Sequence, residues 1–443
     1  MKLSDQSQRF FPVGMTFIAV TLIVLTSHEA NAQLDFEAAP INYETAAESN
    51  RIAELAVRIE KGEVTLEYDK EHGYLKSLLA HLNVPISSQM LVYSKTSFQL
   101  RKISPRRPRA VYFNDDVYIG WVQRGDVIEI STADRELGGV FYTLSQDESE
   151  PPRFIRDRGQ CLTCHASSRT ATVPGHLVRS VHVDRSGEPF YGHRTFNTDH
   201  RSPITERWGG WYVSGTHGKQ RHMGNVTLDK SDDEADLDRE AGANVTDLDT
   251  LLHVAPYLST TSDLVALMIL EHQTQTHNQI TWTAFETRSA LHYDEIMNNA
   301  LERPADYRSE SATRRIESAT EKLVDHLLFV DEYALEDPVK GTSGFAAEFA
   351  ARGPFDEQGR SLRQLDLNQR LMKYPCSYLI YSEPFDHLPA PAKQAVYERL
   401  HRILTGVETD ERYAHLTPSL RRDILDILRQ TKHDLPDAWK TNG

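Results

Sequence analysis

The spacing of apolar positions changes several times along this chain. Ile52, Leu55, Ala56 and Ile59 recur at helical intervals, and Gly62 ends the run. Glu63–Tyr68 alternates as a strand does, and Tyr74–Leu82 reads as a second short helix stopped by Pro85. From Ala110 the period becomes two. Val117–Val122, Val127–Ser131 and Val140–Leu144 are β-branched or aromatic runs, punctuated by Arg124–Asp126 and Leu137–Gly139. That pattern predicts a β-meander. Glu148–Pro152 reads as a linker.

Residues 166–226 are irregular and rich in Gly, Pro, His, Arg and aromatics. A hairpin is expected there, with Val178–Val183 and Pro189–Tyr191 around Asp184–Gly187. The acidic run 229–240 reads as a solvated loop; it lacks the glycine and spaced oxygens of a calcium loop. Helical periodicity returns at Asp263–Thr287, with Ser262 as the expected N-cap. Further amphipathic helices are expected at 309–330, 361–372, 390–404 and 417–431. Pro338, Gly353-Pro354, Pro384 and Pro389 mark the breaks. The expected fold is α+β, mainly α. A small N-terminal α+β region (33–150) carries the meander, an irregular region (151–260) follows, and a helical C-terminal domain (261–443) completes the chain.

Composition narrows the class. Of 443 residues, 39% are apolar and 26% charged, which excludes wholesale disorder, collagen and coiled coil. A net charge of −15 makes nucleic acid a poor partner. Residues 1–32 read as an export signal: Lys2 and Arg9 precede the apolar run Met15–Leu25, and Ala30-Asn31-Ala32 gives a cleavage site after Ala32. The apolar run is short for a membrane span. The expectation is a periplasmic or otherwise exported protein with no stable membrane span once the signal is removed.

The chemistry concentrates in Cys161-Leu162-Thr163-Cys164-His165. This C-x-x-C-H string is the pattern for covalent attachment of one haem c. Two thiols at this spacing can add across the two vinyl groups of one porphyrin, and His165 then supplies the proximal imidazole. An export signal and a haem assembled after export agree with each other. Three readings compete, of which a structural disulfide between cysteines three apart would be strained. Zinc would need further ligands, and the third cysteine, Cys376, is distant in an apolar setting. A thiol redox pair would sit in a thioredoxin-like βαβ pattern, which is absent here.

The distal iron ligand decides between an electron carrier and a haem enzyme. Candidates are Met223 first, then His222, His272 and His217. Each has a plainer reading as a packed methionine, a loop hydrogen-bonder or a core histidine. His272 and His277 are five apart, so they leave a helix on different faces. Arg169, Arg179, Arg194, Arg201 and Arg207 are candidates to hold haem propionates; the alternative is pairing with Asp184, Asp199 and Glu206. Trp208, Trp211 and Tyr212 could wall a haem pocket or fill a core. Arg101–Arg109 is a basic cluster that could dock an acidic redox partner.

Several strings carry a resemblance: Pro40–Tyr43, His72–Leu75, Tyr112–Trp121, Cys161–His165, Thr198–Pro203, Arg207–Trp211, His222–Asn225, Leu270–Gln273 and Cys376–Tyr381. Together the chain resembles large exported proteins described as cytochrome c domain-containing. That resemblance implies haem c on Cys161, Cys164 and His165, and supplies neither a substrate nor a distal ligand. The expected function is electron transfer by an exported mono-haem c-type cytochrome to a redox partner protein or respiratory complex. The alternative is a haem-dependent oxidoreductase, of peroxidase or small-molecule dehydrogenase type, with an open distal site. A haem-based sensor or assembly subunit is a third possibility.

Overall fold

A six-stranded antiparallel sheet, in strict chain order, forms the frame of the N-terminal half in the computed structural model. The structure describes residues 35–190, 193–229 and 237–439. The expected signal and its cleavage site lie outside these residues, as do Tyr191 and most of the acidic run.

Two helices precede or flank the sheet, α1 (Arg51–Glu60) and α2 (Leu75–His81). Asn50 caps α1, its side chain accepting from the Ile52 and Ala53 amides. The strands are β1 (Met90–Val92), β2 (Arg109–Phe113), β3 (Val117–Trp121), β4 (Val127–Asp134), β5 (Gly138–Ser145) and β6 (Phe154–Arg156). β4 and β5 pair in full from Val127 opposite Ser145 to Asp134 opposite Gly138. Gly138 has φ +73°, and a Cβ there would lie 2.4 Å from Thr281 Cγ2. Glycine therefore serves both the turn and the close approach of a helix.

The cysteine turn is α3 (Leu162–His165), followed by the two-stranded pair β7 (Arg179–Val181) and β8 (Thr195–Asn197). The expected hairpin turn forms, with a bridge from Val183 to Pro189 and the Gly187 amide donating to the Asp184 carbonyl. The strand partner of β7 is nevertheless β8, further along the chain. β9 (Gly215–Thr216) pairs with β10 (Lys340–Gly341).

Helices dominate the rest: α4 (Leu264–Ala300), α5 (Glu310–Leu327), α6 (Phe345–Ala351), α7 (Glu383–Asp386), α8 (Ala390–Leu404) and α9 (Pro418–Thr431). α4 runs for 37 residues and is buried over most of its first half. Its N-cap is Asp263, which accepts from the Val265 and Ala266 amides. Ser262 instead ties the sheet to the site loop: its hydroxyl donates to the Tyr212 carbonyl and accepts from the Leu91 amide. The helix expected at 361–372 is absent. Asp366 Oδ1 accepts from the Asn368 and Gln369 amides, and Leu367 has φ +59°. That local turn captures backbone a helix would need. Glu63–Tyr68 alternates as expected, with Val64 and Leu66 buried, but joins no strand ladder.

The chain is mixed α+β. The described residues cluster as one unit. One hydrophobic core includes Ile41, Ile119, Trp208, Leu267 and Trp439, so it draws on all three regions expected between residues 33 and 443. Among the described residues no helix is long and apolar enough to cross a membrane.

Candidate functional site

Four residues separate the end of β6 from the cysteine string. The Asp157 carboxylate accepts from the Cys161 amide at 2.8 Å and starts the turn. Within it the Cys164 and His165 amides donate to the Cys161 carbonyl at 3.1 and 3.0 Å. A three-residue step along a helical turn puts both cysteines on one face. Cys164 is exposed and Cys161 partly so, and both thiols are free. Burial, and then the neighbouring Asp157 carboxylate, push the Cys161 thiol up to about 12.

That shift speaks against a thiol redox pair, which needs a lowered pKa. The surrounding sheet is wholly antiparallel, unlike a thioredoxin βαβ unit. Zinc is also poorly served. Among the described residues, the groups with metal-ligand geometry are His200/His272/His326 and Asp69/Glu71/His72, and neither contains a cysteine.

His165 is held from its far side. Its Nδ1 lies 2.9 Å from the Gly175 carbonyl, and the Gly175 amide donates back to the His165 carbonyl at 2.8 Å. With Nδ1 as donor, the lone pair is on Nε2. Phe141 of β5 packs against the ring, centroids 4.8 Å apart. Burial holds the His165 pKa below the ordinary imidazole value, so the ring is neutral near pH 7. A neutral imidazole with one nitrogen fixed and the other open is the form a metal ligand takes.

Gly175 is fixed in turn by α4. Asn278 Oδ1 accepts from the His176 amide at 2.8 Å, and Asn278 Nδ2 donates to the His176 carbonyl at 2.7 Å. A Cβ on Gly175 would lie 2.2 Å from Asn278 Oδ1. Thr170 adds a hydroxyl within hydrogen-bond distance of the His165 and Val173 carbonyls. Sequence reasoning missed Gly175, Asn278 and Thr170. The available signal was Pro174-Gly175 shortly after the motif; nothing local pointed to Asn278.

The five candidate arginines divide. Arg194 pairs with Glu206, Arg201 with Asp199 and Arg207 with Glu271. Arg169 and Arg179 pair with no carboxylate among the described residues. Burial, then the Arg169 charge, hold the Arg179 pKa below its usual value, with Cys164 acting in the opposite direction. The buried Arg179 Nε has no partner. Two guanidiniums paired with no carboxylate among the described residues thus lie within electrostatic reach of each other, and Arg179 within reach of Cys164. Elsewhere, Lys102 and Arg109 of the basic cluster pair with Asp126, just before β4, and with Glu129 of β4.

The distal candidates are engaged elsewhere. Met223 is buried, and its sulfur accepts from Ser180 Oγ at 3.6 Å. Ser180 neighbours Arg179 in β7, and successive strand side chains face opposite ways. Met223 thus packs on the face of β7 away from Arg179. His222 stands beside His217, centroids 4.8 Å apart, and its Nδ1 accepts from the Gly224 amide. Burial pushes the His222 pKa down to about 3. His217 accepts from the Asn244 amide. His272 is grouped with His200, His326 and Ser377. Trp208 and Tyr212 are core residues, and Trp211 donates from its indole to the Arg179 carbonyl. Cys376 is fully buried.

No family model, curated protein or solved structure matches this chain.

Proposed function

We propose that this protein is an exported c-type haem protein that transfers electrons through one haem attached to Cys161 and Cys164. The carrying observation is the state of His165, the residue that follows the C-x-x-C turn: its Nδ1 is tied to the Gly175 carbonyl, which leaves the lone pair on Nε2. The residues fit the group. Cys161 and Cys164 share a face, His165 offers a neutral imidazole, and Arg169 with Arg179 offers a destination for carboxylates such as propionates. Bound there, the group would supply one-electron chemistry at iron. The chain's own part is to orient the imidazole, shield it with Phe141 and neutralise the carboxylates. The likeness to large exported cytochrome c domain-containing proteins supports the same reading.

A second reading is favoured by one observation: Met223, His222 and His272 are each already engaged within the core. An iron left without a second protein ligand would suit a haem-dependent oxidoreductase with an open distal site.

The experiment is the visible spectrum of mature protein produced in a periplasm competent for cytochrome c maturation. Covalent haem absent from wild type, or retained in Cys161→Ser with Cys164→Ser, refutes attachment. Low-spin bands insensitive to carbon monoxide support the carrier. High-spin ferric bands or ready carbon monoxide binding support the oxidoreductase.

A further inference from the structure

We infer that His200, His272 and His326 bind one divalent transition-metal ion of the imidazole-preferring class, at a centre separate from the cysteine turn. The three come from different elements: His272 from α4, His326 from the last turn of α5, and His200 from the loop after β8. Their candidate ligand nitrogens all lie within 4.8 Å of one another. His272 and His200 approach Nδ1 to Nδ1 at 3.1 Å. Two imidazoles on one tetrahedral ion, at about 2.0–2.1 Å each, would stand roughly 3.3 Å apart.

The outer contacts suit ligation. His272 Nε2 lies 2.8 Å from Ser377 Oγ. A proton donated there turns the Nδ1 lone pair toward the cluster, as the second partner of a metal-bound histidine does. Phe329 stacks on His272 at 4.1 Å between centroids and lies 4.9 Å from His200, giving an apolar wall.

Hydrogen bonding within the cluster does not satisfy it. His200 and His272 can share one proton across their Nδ1 atoms. His326 Nε2 then remains fully buried with no partner. Such groups are rare in native proteins and costly. An ion recruits a lone pair from each ring.

The donor set also selects the ion. Asp199 and Glu271 are close by and buried, but their charges are matched by Arg201 and Arg207. The three histidines themselves offer nitrogen, not the oxygen ligands that calcium and magnesium need. Three neutral nitrogens favour zinc or copper.

The test uses mature, full-length protein without a histidine tag, analysed for metals other than iron as purified and titrated with Zn²⁺ and Cu²⁺ after chelation. One equivalent of zinc or copper is expected. Binding should fall at least 100-fold in His326→Gln, and about 10–100-fold in Ser377→Ala, which leaves all three imidazoles in place. Absence of stoichiometric zinc and copper from folded wild type, both as purified and on titration, overturns the inference whatever the variants do. So does an equivalent that survives in folded His326→Gln and disappears in Asp69→Asn, because the ion would then sit at the exposed Asp69/Glu71/His72 group. Haem content is read separately, so a failure here is distinguishable from a failure at Cys161 and Cys164.

Discussion

Replacing Gly175 by alanine tests how His165 is positioned. The new methyl would stand 2.2 Å from Asn278 Oδ1 and 2.9 Å from its Cγ, well inside contact distance. Overpacking of this kind costs about 1–3 kcal/mol. The methyl can be accommodated only by moving Asn278, which holds the His176 amide and carbonyl. Asn278→Ala removes both bonds and leaves two backbone groups unsatisfied, at about 1–3 kcal/mol each. Each single variant should therefore destabilise by more than about 1 kcal/mol. The double variant is the decisive case. With Asn278 truncated the overlap disappears, and the cost of Gly175→Ala should fall by at least about 1 kcal/mol. Urea denaturation followed by tryptophan fluorescence and far-ultraviolet circular dichroism measures all four corners of the cycle. Costs that add to within about 0.5 kcal/mol would refute the claim that α4 fixes this loop through Asn278.

Acid should destabilise the fold. Burial holds His176, His200 and His272 well below the ordinary value, His277 and His326 at about 4, and His222 at about 3. The unfolded chain titrates near 6.5, so it binds more protons between about pH 6.5 and 4, and stability is lost as pH falls through that window. Glu271, raised to about 7 by burial, opposes this: its contribution is present below about pH 4.3 and lost as pH rises through 7. The histidines outnumber it, so urea midpoints should fall on acidification; midpoints flat from pH 6.5 to 4.5 would contradict the buried neutral histidines. Arg207→Leu should cost about 3–5 kcal/mol by leaving Glu271 buried and unpaired, with much of the loss recovered in Arg207→Leu with Glu271→Leu. A double variant no more stable than Arg207→Leu would show that packing, not charge, is at stake. Asp263→Ala should cost roughly 2–4 kcal/mol, through the lost α4 cap and the two bonds from Ser343. Asp263→Asn should cost less, because it keeps an oxygen for the cap; equal losses in thermal or urea melts would reject that role.

What was legible in the sequence was local. β3, β4 and β5 appear where period-two runs met glycine punctuation, and α1, α5, α8 and α9 where an apolar stripe met a cap or a proline. The cysteine string stood out in the sequence by its spacing alone. What failed was long-range or competitive. Residues 361–372 carry a fair helical stripe, but Asp366 bonds its own following amides and leucine at 367 takes a left-handed turn. Ser262 is a good cap by type, yet its hydroxyl is used between Tyr212 and Leu91, so Asp263 caps instead. The partners of His165 are hidden for the same reason. Asn278 lies on a polar stretch of α4 with nothing to mark it, and only the fold brings it to Gly175. The histidines at 200, 272 and 326 are likewise scattered in sequence and meet only in the core.

The clamp between Asn278 and His176 spans 102 residues, whereas the turn carrying Cys161 and Cys164 closes on itself within five. In a chain delivered from its N-terminus these two events are separated in time. The thiols reach their shared face through contacts made almost at once, while the loop behind His165 waits for the far end of a long helix to be made and packed. Before α4 packs, the cysteines would be spaced and reachable while the histidine was still free to swing. A covalent partner acquired in that interval would enter without having to open a finished core, and later closure of α4 would lock the imidazole around it.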